Sequence, residues 1–317
     1  MSHAMGIAGT PNGRELTLIT TTEETEYSKT MQNENKEIKR RLPEWLKRRI
    51  GAGETFQHTH HTLDTLGLET ICTNANCPNR GDCWSRGTAT VLILGNICTR
   101  NCKFCSVGHG KPLPPDATEP DRVATMAKEM GLKYLVITSV DRDDLPDGGA
   151  GHFRDVILRC REVMPGLEFE LLVPDFRDCQ DEAIEILKPA LPFVFGHNVE
   201  TVPALYSKAR PGGDYQRSLA LLQKARCALP ETETKSSLML GLGETDEQVM
   251  EVLSDLRMVG CDRLALGQYL RPDKNSLDVE EYITPEKFDW WAEQAKELGF
   301  TWVQSSPFTR SSYHAEE

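Results

Sequence analysis

No apolar run in these 317 residues approaches the roughly 18 needed to cross a bilayer, and the first thirty positions lack the charged-then-apolar order of a secretory signal. Neither a membrane span nor export is expected, and the chain reads as soluble and intracellular. A bacterial cytoplasm is the expected setting; the leader is too poor in arginine to insist on a mitochondrial matrix, which stays open. Excess positive charge is missing as well. A formal net charge of -12 argues against nucleic acid as a general partner, because phosphate binding needs clustered cations. Ten cysteines in a reducing compartment do not form a disulfide framework, so their positions need another reason.

Six of the ten fall into two tight groups, and neither group has a fourth thiol beside it. "CTNANCPNRGDC" holds Cys72, Cys77 and Cys83 at Cys-x4-Cys-x5-Cys, and "CTRNCKFC" holds Cys98, Cys102 and Cys105 at Cys-x3-Cys-x2-Cys. The other four, Cys160, Cys179, Cys227 and Cys261, lie in amphipathic segments and read as small buried apolar residues. "HTHH" offers His58, His60 and His61, but no spaced cysteine or carboxylate completes a metal site there. His109 reads as a residue that caps or orients the second cysteine loop.

Residues 1–35 lack periodicity and read as a mobile leader. "KEIKRRLPEWLKRRI" then concentrates Lys39, Arg40, Arg41, Lys47, Arg48 and Arg49 around Trp45. It reads either as a solvated helix anchored by Trp45 and Leu46 or as a patch that steers an acidic protein. From Thr88 onward six β-branched runs begin at Thr88, Lys133, Glu168, Pro192, Thr234 and Arg263, with helical patterns between most of them. The pattern predicts a parallel α/β architecture, a closed or nearly closed barrel, with a doubly wound open sheet as the alternative. In a barrel the reactive residues sit at the carboxyl ends of strands. Those ends are followed here by "CTRNCKFC", "TSVDRDDLPDGGAG", "VPDFRD", "HNVET", "GLGETDE" and "GQYLRP".

Three thiols fall short of a closed zinc tetrahedron, whereas an iron-sulfur cube on three thiolates keeps one iron open to a substrate. The Cys98 spacing, the aromatic Phe104 before Cys105 and the strand ahead of them resemble the radical S-adenosylmethionine superfamily. The resemblance implies that S-adenosylmethionine chelates the open iron and is cleaved reductively to a 5'-deoxyadenosyl radical, which removes hydrogen from an unactivated carbon. From about Leu42 onward, "CTNANCPNRGDCW", "GTATVLILGNICTRNCKFC", "ITSVDRDDLPDGGA", "GLGET", "GQYLRP" and "RSSYHAE" resemble the lipoyl synthase family.

That resemblance implies a radical-type partial (β/α)6 barrel over residues 88–305, an extension over 36–87 and a tail over 306–317. It also implies two 4Fe-4S clusters. Cys98, Cys102 and Cys105 hold the first; Cys72, Cys77, Cys83 and Ser312 hold an auxiliary one, with Ser311 as the competing serine and Ser305 and Ser306 nearby. The auxiliary cluster is consumed: its sulfur replaces hydrogens on carbons six and eight of an octanoyl chain on a carrier lysine, with two S-adenosylmethionine molecules used per product. The implied partners are an octanoylated lipoyl carrier domain or H protein, an electron donor such as flavodoxin or ferredoxin, and an iron-sulfur carrier protein; the chain is expected to be a monomer. By position, Thr138, Ser139, Asp141, Glu170, Asn198, Glu200, Lys235 and Ser237 are candidates for holding S-adenosylmethionine. Gly241 and Gly243 of "GLGET" are candidates for close backbone approach to it, or form a plain strand-to-helix turn. The chain stops soon after "RSSY", so no longer tail is expected to seat the substrate. Two other readings fit the cysteines: a radical enzyme whose auxiliary cluster relays electrons, and a zinc-stapled binding module.

Overall fold

The six β-branched runs all become strands, and all of them pair in parallel. In the computed structural model, which describes residues 42–48 and 51–316, the strands are β1 (Val91–Ile93), β4 (Tyr134–Ser139), β5 (Glu168–Leu172), β6 (Val194–Gly196), β7 (Thr234–Leu240) and β8 (Arg263–Gln268). A short parallel pair, β2 (Ile97–Cys98) and β3 (Gly108–His109), brackets the second cysteine loop. In the main sheet one strand goes beyond the expected six: β9 (Trp302–Ser306) pairs with β8 and makes the sheet seven-stranded, in the order β1-β4-β5-β6-β7-β8-β9. Its "WVQSS" is half-buried throughout and carries only two apolar residues, which leaves it without the alternation that marks an amphipathic strand. The sheet curls as a partial barrel.

Helices separate the strands as crossovers. In the barrel these are α4 (Glu119–Glu129), α5 (Ala150–Val163), α6 (Gln180–Leu187), α7 (Tyr206–Ala209), α8 (Tyr215–Ala228), α9 (Asp246–Met258) and α10 (Pro285–Glu297), preceded in the extension by α1 (Glu54–Thr65), α2 (Ile71–Asn74) and α3 (Arg80–Ser85). Their buried faces, such as Val249, Val252, Leu253 and Leu256 of α9, recur at three- and four-residue spacing against the sheet. Local chemistry starts several of them: Thr245 and Gln248 form a reciprocal capping box at α9, and Asp214 caps α8 by accepting from the Arg217 amide at 2.7 Å.

The extension lies along the free edge of β1. Leu92 N–H donates to Glu69 O at 2.9 Å, Ile71 N–H donates to Thr90 O at 3.2 Å, and Thr70 bridges Val91 antiparallel. From there it reaches the far side of the gap, where the tail after β9 waits. Asn79 Nδ2 donates to Phe308 O at 2.7 Å, and the Tyr313 hydroxyl donates to Asp82 at 2.9 Å. The open side of the barrel is thus bridged by segments far apart in sequence.

Lys39, Arg40, Arg41 and Arg49 of the basic segment lie outside the described residues, as does the leader over residues 1–35. Within the segment Leu46 is the buried anchor while Trp45 is 41% exposed, and Arg48 is no free docking charge: its guanidinium lies 4.0 Å over the Phe308 ring and donates to Tyr313. Cys160 and Cys261 are buried as expected, Cys179 is half-buried, and Cys227 is exposed on the outer face of α8.

Candidate active site

Both cysteine groups open onto a single cavity of about 770 Å³. Cys98, Cys102 and Cys105 approach it from the loop after β1, and Cys72, Cys77 and Cys83 from the extension. Ser311 and Ser312 of the tail line it too. The sequence separation of the two groups therefore conceals a spatial convergence.

The second cysteine loop is held by backbone and charge. Thr99 N–H and its hydroxyl both donate to Asp141 O, at 3.0 and 2.9 Å, and Lys103 N–H donates to Ala209 O at 2.8 Å. Between the first two cysteines Arg100 turns inward, 3% exposed at its side chain. It donates to Asp143 at 2.8 and 2.6 Å and to Asp175 at 2.6 Å, and it lies 3.3 Å from Asp141. Arg217 donates to the other Asp175 oxygen at 2.8 Å. Asp175 is thereby held below the usual carboxylate range: burial opposes its charge, and the Arg100 contacts outweigh that cost. Asp175 and Arg217 form a charged girder from the cysteine loop across β5 to α8.

The thiols match the demands of an iron-sulfur cluster. Arg100 N–H and Asp141 N–H both point at Cys98 Sγ, at 3.4 and 3.3 Å, and Val107 N–H points at Cys105 Sγ at 3.4 Å. Hydrogen bonds to ligand sulfur are one way in which a protein sets a cluster's potential. Burial pushes the Cys98 thiol up to about 11, Cys102 to about 12, Cys72 to about 12 and Cys83 to about 11. Such thiols do not ionise at neutral pH by themselves, whereas a bound metal centre deprotonates them outright. Among the described residues no three His, Cys, Asp or Glu side chains converge as a site for one metal ion, and His60 of "HTHH" packs its ring 5.6 Å from Trp84 instead.

Most polar candidates at strand ends do reach the cavity. Thr138 and Ser139 line it at the end of β4, Asp141 just after that strand, Asn198 and Glu200 after β6, and Ser237 on β7. Thr138 donates to Leu172 O at 3.0 Å, Ser139 Oγ is buried with no hydrogen-bond partner among the described residues, and Asp141 Oδ1 is buried 3.3 Å from Arg100 Nη1. Glu200 sits with φ +69°, a left-handed conformation that a side-chain-bearing residue rarely adopts, and it is held there by exchanges with Ser237 O at 3.1 Å and Met239 N–H at 2.9 Å.

Four candidates do not line the cavity. Glu170 and Lys235 face each other inside the barrel, each 1% exposed, with Lys235 Nζ 2.9 and 3.0 Å from the two carboxylate oxygens. The Tyr134 hydroxyl donates to Glu170 at 3.2 Å, and Lys235 lies 4.5 Å over the Trp302 ring. Gly241 and Gly243 form the strand-to-helix turn: Glu244 accepts from Leu242 N–H at 3.0 Å, and a Cβ on Gly241 would lie 2.3 Å from Glu281 O. The glycine close approach is real, but it is to the chain's own backbone.

Residues that sequence reasoning passed over include Arg100, Asn79, Arg210 and His197. Arg210 is buried on the cavity wall and donates to Asn198 O at 3.1 Å; the nearby Tyr206, Glu200, Asp141 and Cys102 raise it against the opposing effect of burial. His197 is fully buried. Its Nδ1 donates to Val173 O at 2.9 Å, which leaves Nε2 facing the Ser218 hydroxyl at 3.0 Å. Burial, with Arg210 adding to it, lowers its pKa from 6.5 to about 4. The folded state therefore binds fewer protons than the unfolded state between those values, and stability falls as pH drops through that window. Between pH 7 and pH 5 the expected loss from this group is about 2 kcal/mol. Urea unfolding of the chain and of His197→Gln at both pH values checks it: the pH dependence should be smaller in the variant by that amount.

A partial barrel of parallel strands with three thiols in the loop after its first strand defines a radical S-adenosylmethionine protein. The radical SAM superfamily matches residues 92–256, and the N-terminal domain of lipoyl synthase of the radical SAM family matches residues 16–77. Methylornithine synthase shares the fold at 12% identity and a TM-score of 0.51, over 82% of this chain and 87% of its own. The lipoyl synthase of Methylobacillus flagellatus is 52% identical over 276 residues, covering 87% of this chain and 85% of its own, and that of Vibrio parahaemolyticus is 50% identical over 289 residues, covering 91% and 90%. The chain belongs to the lipoyl synthase family. It is a radical S-adenosylmethionine enzyme with 4Fe-4S clusters and S-adenosylmethionine as cofactors.

Proposed function

We propose that this chain makes lipoyl groups by inserting sulfur at carbons six and eight of an octanoyl chain carried on a protein lysine. The observation that carries the proposal is the convergence of both thiol triads and the tail serines on one cavity. An insertion that joins radical formation to sulfur delivery needs the two sources within reach of one bound chain.

In this reading Cys98, Cys102 and Cys105 hold one cluster, and Cys72, Cys77, Cys83 and Ser312 hold the auxiliary one. When bound, the first supplies the electron that cleaves S-adenosylmethionine reductively, and the second supplies sulfur. Ser312 is favoured over Ser311 because the Ser311 hydroxyl accepts from Asn198 Nδ2 at 2.6 Å, while the Ser312 hydroxyl makes no hydrogen bond among the described residues. Ser305 and Ser306 are engaged elsewhere, with Phe288 O at 2.7 Å and with Thr309 at 2.9 Å. A serine oxygen is a harder ligand than thiolate and suits a bond that must be given up.

Thr138, Ser139, Asp141, Asn198, Glu200 and Ser237 are the residues assigned to orient S-adenosylmethionine, and Ser139 brings to that task a buried hydroxyl with no hydrogen-bond partner among the described residues. Arg100 holds the second cysteine loop rigid through Asp143 and Asp175. Extension and tail cover the open side of the barrel and exclude water from the radical. The substrate carrier is an octanoylated lipoyl domain or H protein, electrons come from a flavodoxin- or ferredoxin-type donor, and an iron-sulfur carrier protein is a further partner. The bacterial relatives support a bacterial cytoplasm as the setting.

Anaerobic reconstitution with isotopically labelled sulfide tests this. One turnover on an octanoyl-lysyl peptide should give a product carrying two heavy sulfur atoms by mass spectrometry. Product with unlabelled sulfur, or 5'-deoxyadenosine with no sulfur in the peptide, would refute the auxiliary cluster as donor.

A further inference from the structure

We propose that Asn79 and Gly267 are positioning residues that clamp the tail from two sides and set the register in which Ser312 meets the extension. The proposal deepens the reading above and rests on its assignment of Ser312 to the auxiliary cluster.

Gly267 lies within β8, paired with Met239 of β7 and Ser306 of β9. A glycine inside a strand weakens it, since no side chain packs and the unfolded chain loses more freedom; its usual compensation is the close approach of another backbone. That approach is present. A Cβ on Gly267 would stand 2.0 Å from Thr309 O and 3.1 Å from Arg310 Nη1. The carbonyl of Thr309 therefore rests directly on the strand, three residues ahead of Ser312.

The opposite side is held by Asn79, which is 1% exposed and lies between Cys77 and Cys83. It precedes α3 at the position where asparagine ordinarily caps a helix with its side chain, but it makes no capping bond. Its amide instead crosses to the tail and donates to Phe308 O at 2.7 Å. An unused local cap exchanged for a long-range bond indicates that the bond to the tail is what the position serves. Phe308 and Thr309 are adjacent, so the two contacts grip consecutive peptide units. From that grip the turn closes through Thr309 N–H to Ser306 O at 3.0 Å and Tyr313 N–H to Arg310 O at 3.0 Å. Ser312 rides inside this turn, and its position relative to Cys77 follows from the clamp.

The test compares Gly267→Ala, Asn79→Ala and Ser312→Ala with the parent chain. In the cluster-free full chain, amide hydrogen exchange at Thr309 and Tyr313 should accelerate on the order of tenfold in Gly267→Ala and in Asn79→Ala, while amides of β4 and β5 keep their protection. In the reconstituted chain, the electron paramagnetic resonance spectrum of the reduced auxiliary cluster in both clamp variants should change in the same way as in Ser312→Ala. Unchanged exchange at Thr309 and Tyr313 in both variants overturns the clamp. Accelerated exchange with a parent-like auxiliary spectrum in all three variants upholds the clamp and overturns Ser312 as ligand. A changed spectrum in Ser312→Ala alone upholds the ligand and overturns the register role. Asn79 lies outside the barrel, so its variant remains informative if Ala at Gly267 loosens β8 itself.

Discussion

Cys98→Ala is expected to abolish 5'-deoxyadenosine formation, by about a thousandfold or more, roughly 4 kcal/mol of barrier. Cys77→Ala is expected to leave that reaction in place and to abolish sulfur transfer instead. The asymmetry follows from position: Cys98 stands in the loop after β1 under the amide N–H groups of Arg100 and Asp141, whereas Cys77 stands in the extension against the tail. Each group keeps its own three thiols, so loss of one should halve the iron per chain rather than eliminate it. Anaerobic assays of 5'-deoxyadenosine, peptide-bound sulfur and iron on both variants check the pair. Equal loss of both activities in both variants would mean that the six thiols serve one shared centre, and would remove the basis for separate electron and sulfur sources.

Lys235→Met is expected to destabilise the chain by about 3–5 kcal/mol, because it leaves the Glu170 carboxylate buried without its partner. Burial pushes Glu170 up and Lys235 down, and the two-oxygen contact between them opposes both shifts. Removing one member removes that opposition and keeps the desolvation. The double variant Glu170→Leu with Lys235→Met should recover most of the loss, since a well-packed apolar pair of similar volume is often neutral beside a buried ion pair. The Tyr134 hydroxyl, which donates to Glu170, sets a limit on that recovery. Urea midpoints of the two single variants and the double variant form the measurement. A raised KM for S-adenosylmethionine in Lys235→Met with unchanged stability would return Lys235 to the cofactor site and refute its structural role.

The thiol spacings are covalent facts, and a loop of eight residues after a short strand cannot spread its three sulfurs far; the grouping of thiols in the second cysteine loop was therefore legible before any fold was known. Six strands were legible because β-branched runs between helical periods leave few ways to cover a parallel sheet. Glu170 and Lys235 were misjudged for a related reason. A polar residue on a strand of a barrel points either to a cavity or to an interior partner, and alternation along the strand is the same in both cases. Only the strand 65 positions away decides between them.

Arg100 and Asn79 were hidden by the same range. Arg100 looks like a solvated residue in "CTRNC" until Asp175, 75 positions on, comes within 2.6 Å. Asn79 looks like a helix cap until Phe308, 229 positions on, takes its amide. The choice between Ser311 and Ser312 hangs on Asn198, 113 positions back.

The amino-acid sequence by itself determined the donor chemistry, two triads of thiols each short of a closed set, and the parallel architecture that presents loops at one end. The tertiary structure alone decided that both triads share one cavity, which polar side chains look into it, and what holds the tail across the opening. Spacing along the chain governs groups a few bonds apart, whereas contacts between distant segments exist only once burial and hydrogen bonding have brought those segments together.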